Sequence, residues 1–112
     1  MKIDIQNIFT SKLPSDNNST NEVRKVFEAC YSKVNPTSPS KPELIHYNSE
    51  LLEILAISDE EIQKEDFISV FSGKKIYPNS IPYAMCYGGH QFGVWAGQLG
   101  DGRGLLIGQI LN

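Results

Sequence analysis

Gly100-Asp101-Gly102-Arg103-Gly104 is the stretch of this chain best suited to chemistry. Glycine at alternate positions leaves the backbone N–H groups unshielded by Cβ, and successive amides in turn conformations form a concave anion site. Arg103 adds a planar, permanently charged fork that meets phosphate oxygens through two parallel hydrogen bonds. The ligand these residues suit is therefore a phosphate. Eight of the nine glycines fall between Gly88 and Gly108. Glycine loses more backbone freedom on folding than any other residue, so a run studded with Phe92, Val94, Trp95 and Leu99 is no simple linker. It is backbone that must turn sharply or approach something closely. The string lacks Gly-x-x-x-x-Gly-Lys-Ser/Thr, and Gly100-x-Gly102-x-Gly104 departs from Gly-x-Gly-x-x-Gly. It is closer to the nucleotide-covering loop of kinase-like folds. Glycine loops alone are a weak signal, since a purely structural glycine-rich hairpin satisfies them equally.

Other reactive side chains weigh less. His90 has no carboxylate partner nearby in sequence, which favours a structural histidine held among glycine turns over a catalytic one. Phe92 and Trp95 have faces that stack adenine, but packing in a core under the hairpin is the favoured role. Cys86, between Met85 and Tyr87, suits a buried apolar position. Cys30 and Cys86 are the only cysteines, and without a signal peptide they are expected as thiols in a reducing compartment, a disulfide between them being the weaker choice. His46 and His90 lie far apart and there is no Cys-x-x-Cys, so no metal-ligand spacing is present.

The elements that must position the loop follow from patterning. Asp101-Gly102 favours a two-residue turn, which predicts two short antiparallel strands over roughly 97–110. Upstream, Ile3, Ile5 and Ile8 alternate before a loop over residues 14–20. Val23, Val26, Phe27, Cys30 and Tyr31 recur with helical spacing, capped by Thr20 or Asn21, with a strand as the alternative. Three prolines between Pro36 and Pro42 predict an extended connector; Pro36 and Pro39 also satisfy Pro-x-x-Pro, the weaker choice. A short helix begins at Ser49 as N-cap, with Leu51, Ile54 and Leu55 as its apolar face. Ser58-Asp-Glu-Glu61 is a capping box opening a second helix, with Ile62, Phe67, Val70 and Phe71 facing inward and Gly73 as its stop. Its acidic run, Asp59 to Glu61, is expected to stabilise its own helix rather than bind a cation.

The longer string Tyr83-Ala-Met-Cys-Tyr-Gly-Gly-His-Gln-Phe-Gly-Val-Trp-Ala-Gly-Gln-Leu-Gly-Asp-Gly-Arg103 resembles the signature of the selenoprotein O family, also called the YdiU or UPF0061 family. Tyr31-Ser-Lys-Val-Asn-Pro-Thr37, Tyr47-Asn-Ser-Glu-Leu51 and Phe71-Ser-Gly73 resemble further segments of that family in order and spacing. The resemblance runs from about Phe9 to the end of the chain. It implies an α+β chain that forms the N-terminal part of a protein-kinase-like fold and is incomplete. Residues 1–82 would be an N-terminal extension, and 83–112 the nucleotide-loop segment that starts the N-lobe. The implied activity is protein adenylyl transfer, in which ATP bound in an inverted orientation gives AMP to Ser, Thr or Tyr hydroxyls with Mg2+ or Mn2+. Gly100, Gly102 and Arg103 carry over as nucleotide-binding positions, with Asp101 as turn former. Gly104 and Gly108-Gln109 depart from the family's usual Ala and Gly-Glu. Members of the family are several times longer, so the catalytic Asp and metal ligands would lie beyond Asn112. No catalytic residue or metal ligand is expected within this chain, and it is expected to be inactive alone.

Composition sets the outer bounds. With 112 residues, 40% hydrophobic and 21% charged, the chain suits one small folded domain. A net charge of −3 supplies no field that would draw the whole chain to nucleic acid or an anionic membrane. No apolar run is long enough to span a bilayer, and the expected location is the cytoplasm. The partners expected are ATP and, for the intact parent, protein substrates. Two rival readings remain open: a noncatalytic module binding an anion or a partner, and a nonfunctional remnant whose hairpin leaves an unpaired strand edge.

Overall fold

The computed structural model describes residues 2–18, 20, 22, 24–101 and 104–111. Its elements in order are β1 (Ile5–Gln6), α1 (Ile8–Lys12), β2 (Ser15–Asp16), β3 (Tyr31–Lys33), α2 (Ser49–Ile54), α3 (Asp59–Ile62), α4 (Glu65–Phe71), β4 (Tyr83–Gln91), β5 (Val94–Asp101) and β6 (Gln109–Ile110). The chain is α+β, with two sheets. One sheet has the order β2-β3-β4-β5, with β2 parallel to β3 and the other pairs antiparallel. The second pairs β1 with β6, setting Ile5 against Ile110. Strands from before residue 83 thus share both sheets with strands after it.

The helices follow local capping. At α3 the Ser58 N–H donates to Glu61 Oε2 at 3.1 Å, the reciprocal arm of the expected capping box. Asn48, not Ser49, caps α2: its Oδ1 accepts from the Leu51 N–H at 2.9 Å. Asn48 takes that place because its backbone is extended while Ser49 is already helical. The expected second helix is broken into α3 and α4, with Lys64 in an extended conformation between them. Gly73, at φ +83°, ends α4 as expected.

Two groups of side chains hold the fold. Ile3, Leu52, Ile57, Ile62 and Phe67 form a core, flanked by Ile5, Leu44, Leu55 and Ile110. Leu52 is the inward residue of α2, whereas Leu51 and Ile54 are exposed, opposite to the expected face. The second group is aromatic. Phe9 stacks on Tyr83 with centroids 4.9 Å apart, and Tyr31 meets Tyr83 edge-on at 5.4 Å. The Tyr31 hydroxyl donates to the Thr10 carbonyl at 2.7 Å, tying α1 to β3.

The helix expected from Val23 to Tyr31 does not form among the described residues. Glu28 has φ +57°, which no right-handed helix accepts, and Tyr31 enters the ladder opposite Met85. Of the residues that gave the helical spacing only Tyr31 lies in a strand; Val26, Phe27 and Cys30 are in irregular chain before it, and Val23 lies outside the described residues. The Pro-rich connector is free of regular structure, as expected. Helix α1 and the short β2 carry no signal strong enough to be expected from sequence.

Candidate functional site

A hairpin forms upstream of the expected place. The turn between β4 and β5 is Phe92-Gly93, between the paired Gln91 and Val94, and the expected turn at Asp101-Gly102 falls partly outside the described residues. Both central residues have positive φ, +51° and +80°, the requirement of a two-residue turn matching strand twist. Asp101 instead ends β5 opposite Cys86. Eight residues of β5 lie along β4, and among the described residues beyond Asp101, Leu106 is bridged to Tyr83 while Gln109–Ile110 pairs with β1.

The ladder is irregular where the glycines sit. Tyr87 faces Gly100, Gly88 faces Gln98, and His90 faces Trp95, so two register shifts each leave one extra residue on β5. Gly97 lies in the second of these at φ +76°, the conformation of a glycine bulge. A bulge bends its strand and increases local twist, which re-aims the residues that follow. Those residues include Gly100.

The candidate loop is pinned at both ends. Before it, Asp101 pairs with Cys86; after it, Leu106 and Tyr83 exchange backbone hydrogen bonds of 2.9 and 3.0 Å. The chain leaves the edge of β4 after Asp101 and returns to the same edge three residues further along. Gly100 stands within β5; Gly102 and Arg103 lie outside the described residues. Beside the return strand, a cavity of about 260 Å³ is lined by Leu105, Ile107, Pro82, Ser80, Thr37 and Lys75, among others.

Gln98 is the residue that sequence patterning does not announce. Its side-chain amide accepts from the Val26 N–H and donates to the Val26 carbonyl at 2.6 Å, imitating a strand partner. The irregular segment before β3 is thereby clamped to β5. No short-range pattern could reveal this, because the two residues are far apart in sequence.

The remaining candidates fall on the hairpin's faces. His90 packs edge-on against Trp95 with centroids 5.1 Å apart, which fits a structural role. Trp95 and Phe92 are not core residues: Trp95 is 59% exposed and Phe92 fully exposed at the turn. The hairpin carries them outward because no element covers it among the described residues. Cys86 is half-buried rather than buried.

The charged side chains pair away from the loop. Arg24 binds Asp16 and, with backbone N–H groups, holds that carboxyl below its ordinary range. Lys75 Nζ lies 2.7 Å from Asp66; the hydrogen bond lowers the Asp66 pKa and raises that of Lys75. The Ser58 N–H lowers Glu61. Among the described residues no group of three or more His, Cys, Asp or Glu gathers, and no helix is long and apolar enough to cross a membrane.

Comparison with known proteins bears on the whole arrangement. The profile of the family described as protein adenylyltransferase SelO matches residues 15–112. A protein nucleotidyltransferase YdiU of Flavobacterium johnsoniae is 55% identical over 108 residues, covering 96% of this chain and 21% of the relative. The protein of the same name from Methylobacillus flagellatus is 48% identical over 106 residues, 95% of this chain and 20% of the relative. That from Aromatoleum aromaticum is 46% identical over 108 residues, with 96% and 21% covered. The chain therefore spans about a fifth of the length of the curated relatives it matches. The glycine-rich hairpin and its pinned loop lie wholly inside the matched region, and the chain belongs to the protein adenylyltransferase SelO family.

Proposed function

We propose that this chain supplies the nucleotide-cradling hairpin of an ATP-dependent protein adenylyltransferase with a kinase-like N-lobe. The observation that carries this is the loop between Asp101 and Leu106, rooted at both ends on β4 within a family-matched glycine string. Anchoring Asp101 and Leu106 on β4 limits how far the two ends of the glycine string can separate. In adenylyl transfer a protein hydroxyl attacks the α-phosphorus of ATP, a P–O bond forms, and pyrophosphate leaves with its electron pair. Gly100, Gly102 and Arg103 would hold the polyphosphate in place while that happens, the arginine offsetting its charge.

A base for the Ser, Thr or Tyr hydroxyl and ligands for Mg2+ or Mn2+ are assigned to the rest of a longer protein. The described residues gather no acidic cluster that fits a divalent cation. The 112 residues alone are thus expected to bind nucleotide without transferring it, in the cytoplasm, where protein substrates and ATP coexist.

Titration of the chain with ATP by calorimetry tests this. Arg103→Ala should weaken binding about 10- to 100-fold, the loss of one charge-assisted contact. Binding indifferent to Arg103→Ala, or labelled AMP appearing on a protein mixed with the 112-residue chain, would overturn it.

A further inference from the structure

Gln98 stands where the sheet holds β5 least. It pairs with Gly88 between two register shifts, one toward Tyr87 and one toward His90, so it is the single paired residue between two irregularities of the ladder. Its neighbour Gly97 has φ +76°. Bulged backbone is left out of the ladder and bends. Pairing with β4 therefore does not by itself set the direction in which β5 runs on to Gly100.

The grip on Val26 supplies what the ladder lacks. The Gln98 carboxamide accepts from the Val26 N–H and donates to the carbonyl of the same residue, which fixes the side chain in both place and rotation. Val26 is buried, so water does not readily replace either bond. The segment that carries Val26 is itself fastened to other strands. Arg24 binds Asp16 of β2. The Cys30 N–H donates to the Pro14 carbonyl at 2.9 Å, and the Cys30 carbonyl accepts from the Cys86 N–H of β4 at 3.0 Å. Residues 24–30 thus form a strap anchored away from β5 at both ends, and Gln98 ties β5 to its middle.

We propose that Gln98 is a positioning residue for the nucleotide: through Val26 it aims the end of β5, and with it Gly100 and the glycine string, at the phosphates. The proposal deepens the nucleotide-cradling reading and rests on it. Gln98 acts through the backbone that follows it and touches no ligand. The strap becomes part of the site without supplying a ligand group.

Hydrogen exchange and ATP calorimetry on the 112-residue chain test this. Gln98→Glu keeps the acceptor for the Val26 N–H but sets a carboxylate against its carbonyl. Gln98→Met removes both bonds at similar side-chain length. In both variants amide exchange over residues 99–101 should quicken about 10-fold while residues 31–33 and 83–85 keep the parent rate, and ATP should bind about 10-fold more weakly. Arg103→Ala should weaken ATP binding and leave exchange over 99–101 at the parent rate, which separates contact from aim. Exchange over 99–101 no faster than in the parent, or quickened equally at 31–33, would overturn the proposal. So would parent ATP affinity beside quickened exchange over 99–101. Outright unfolding of both variants would also overturn it, since Gln98 would then hold the whole fold and not one strand. If the parent binds no ATP, the nucleotide reading fails by itself, and the exchange comparison still decides whether Gln98 fixes the end of β5.

Discussion

Phe92 occupies the most expensive single position in the hairpin. Its φ of +51° costs an L-residue with a Cβ about 1 kcal/mol, and its exposed ring recovers nothing by packing. Phe92→Asn, which favours that conformation, should raise the stability of the chain by about 0.5–1 kcal/mol in urea denaturation. The Asp66–Lys75 pair makes a prediction of a different kind. Asp66 is lowered in the folded state, so its contribution is present above the ordinary carboxylate pKa and is lost as pH falls through the depressed one. Lys75 is raised, so its share persists to alkaline pH and is lost only above the ordinary lysine range. Asp66→Asn should therefore be less stable than the parent near pH 7, and the two urea midpoints should converge as the pH falls through the lowered Asp66 pKa.

Among elements, legibility tracked the distance over which each signal acts. The capping box at Ser58 and the stop at Gly73 were readable because their partners lie within three or four residues. The β4–β5 turn was not, because Phe92-Gly93 is a weak turn signal and the long facing strands set it there. The stretch before β3 misled for a similar reason: its spacing suits a helix, but Gln98 and Met85 claim it from a distance. The candidate site was legible as a string of residues, whereas its anchoring by Leu106 and Tyr83 was not. The bulge at Gly97 gives this scale its prediction. A Cβ there would touch nothing within 4 Å, so only the backbone resists substitution. Gly97→Ala should cost about 1–2 kcal/mol, while Gly97→Asn should cost clearly less; guanidinium denaturation separates them.

At the scale of the molecule, the radius of gyration of 16.1 Å exceeds the roughly 13 Å expected of a compact chain this long. The excess agrees with a hairpin that carries Phe92, Val94 and Trp95 on open faces. Stability must then come largely from the core around Ile3 and Ile62. Ile3→Ala should lose about 2–5 kcal/mol, read from thermal unfolding by circular dichroism, although Ile3 lies almost at the start of the chain. The pairing of Ile5 with Ile110 has one more consequence, in time. On a ribosome adding about 5–20 residues each second, β1 is synthesised some 5–20 s before its partner. In that interval it lacks its strand partner, although the core residues Leu52, Ile57 and Ile62 are already made. Among the described strands the last in the chain is the one that pairs with the first, so that sheet forms only after nearly every described residue has been made.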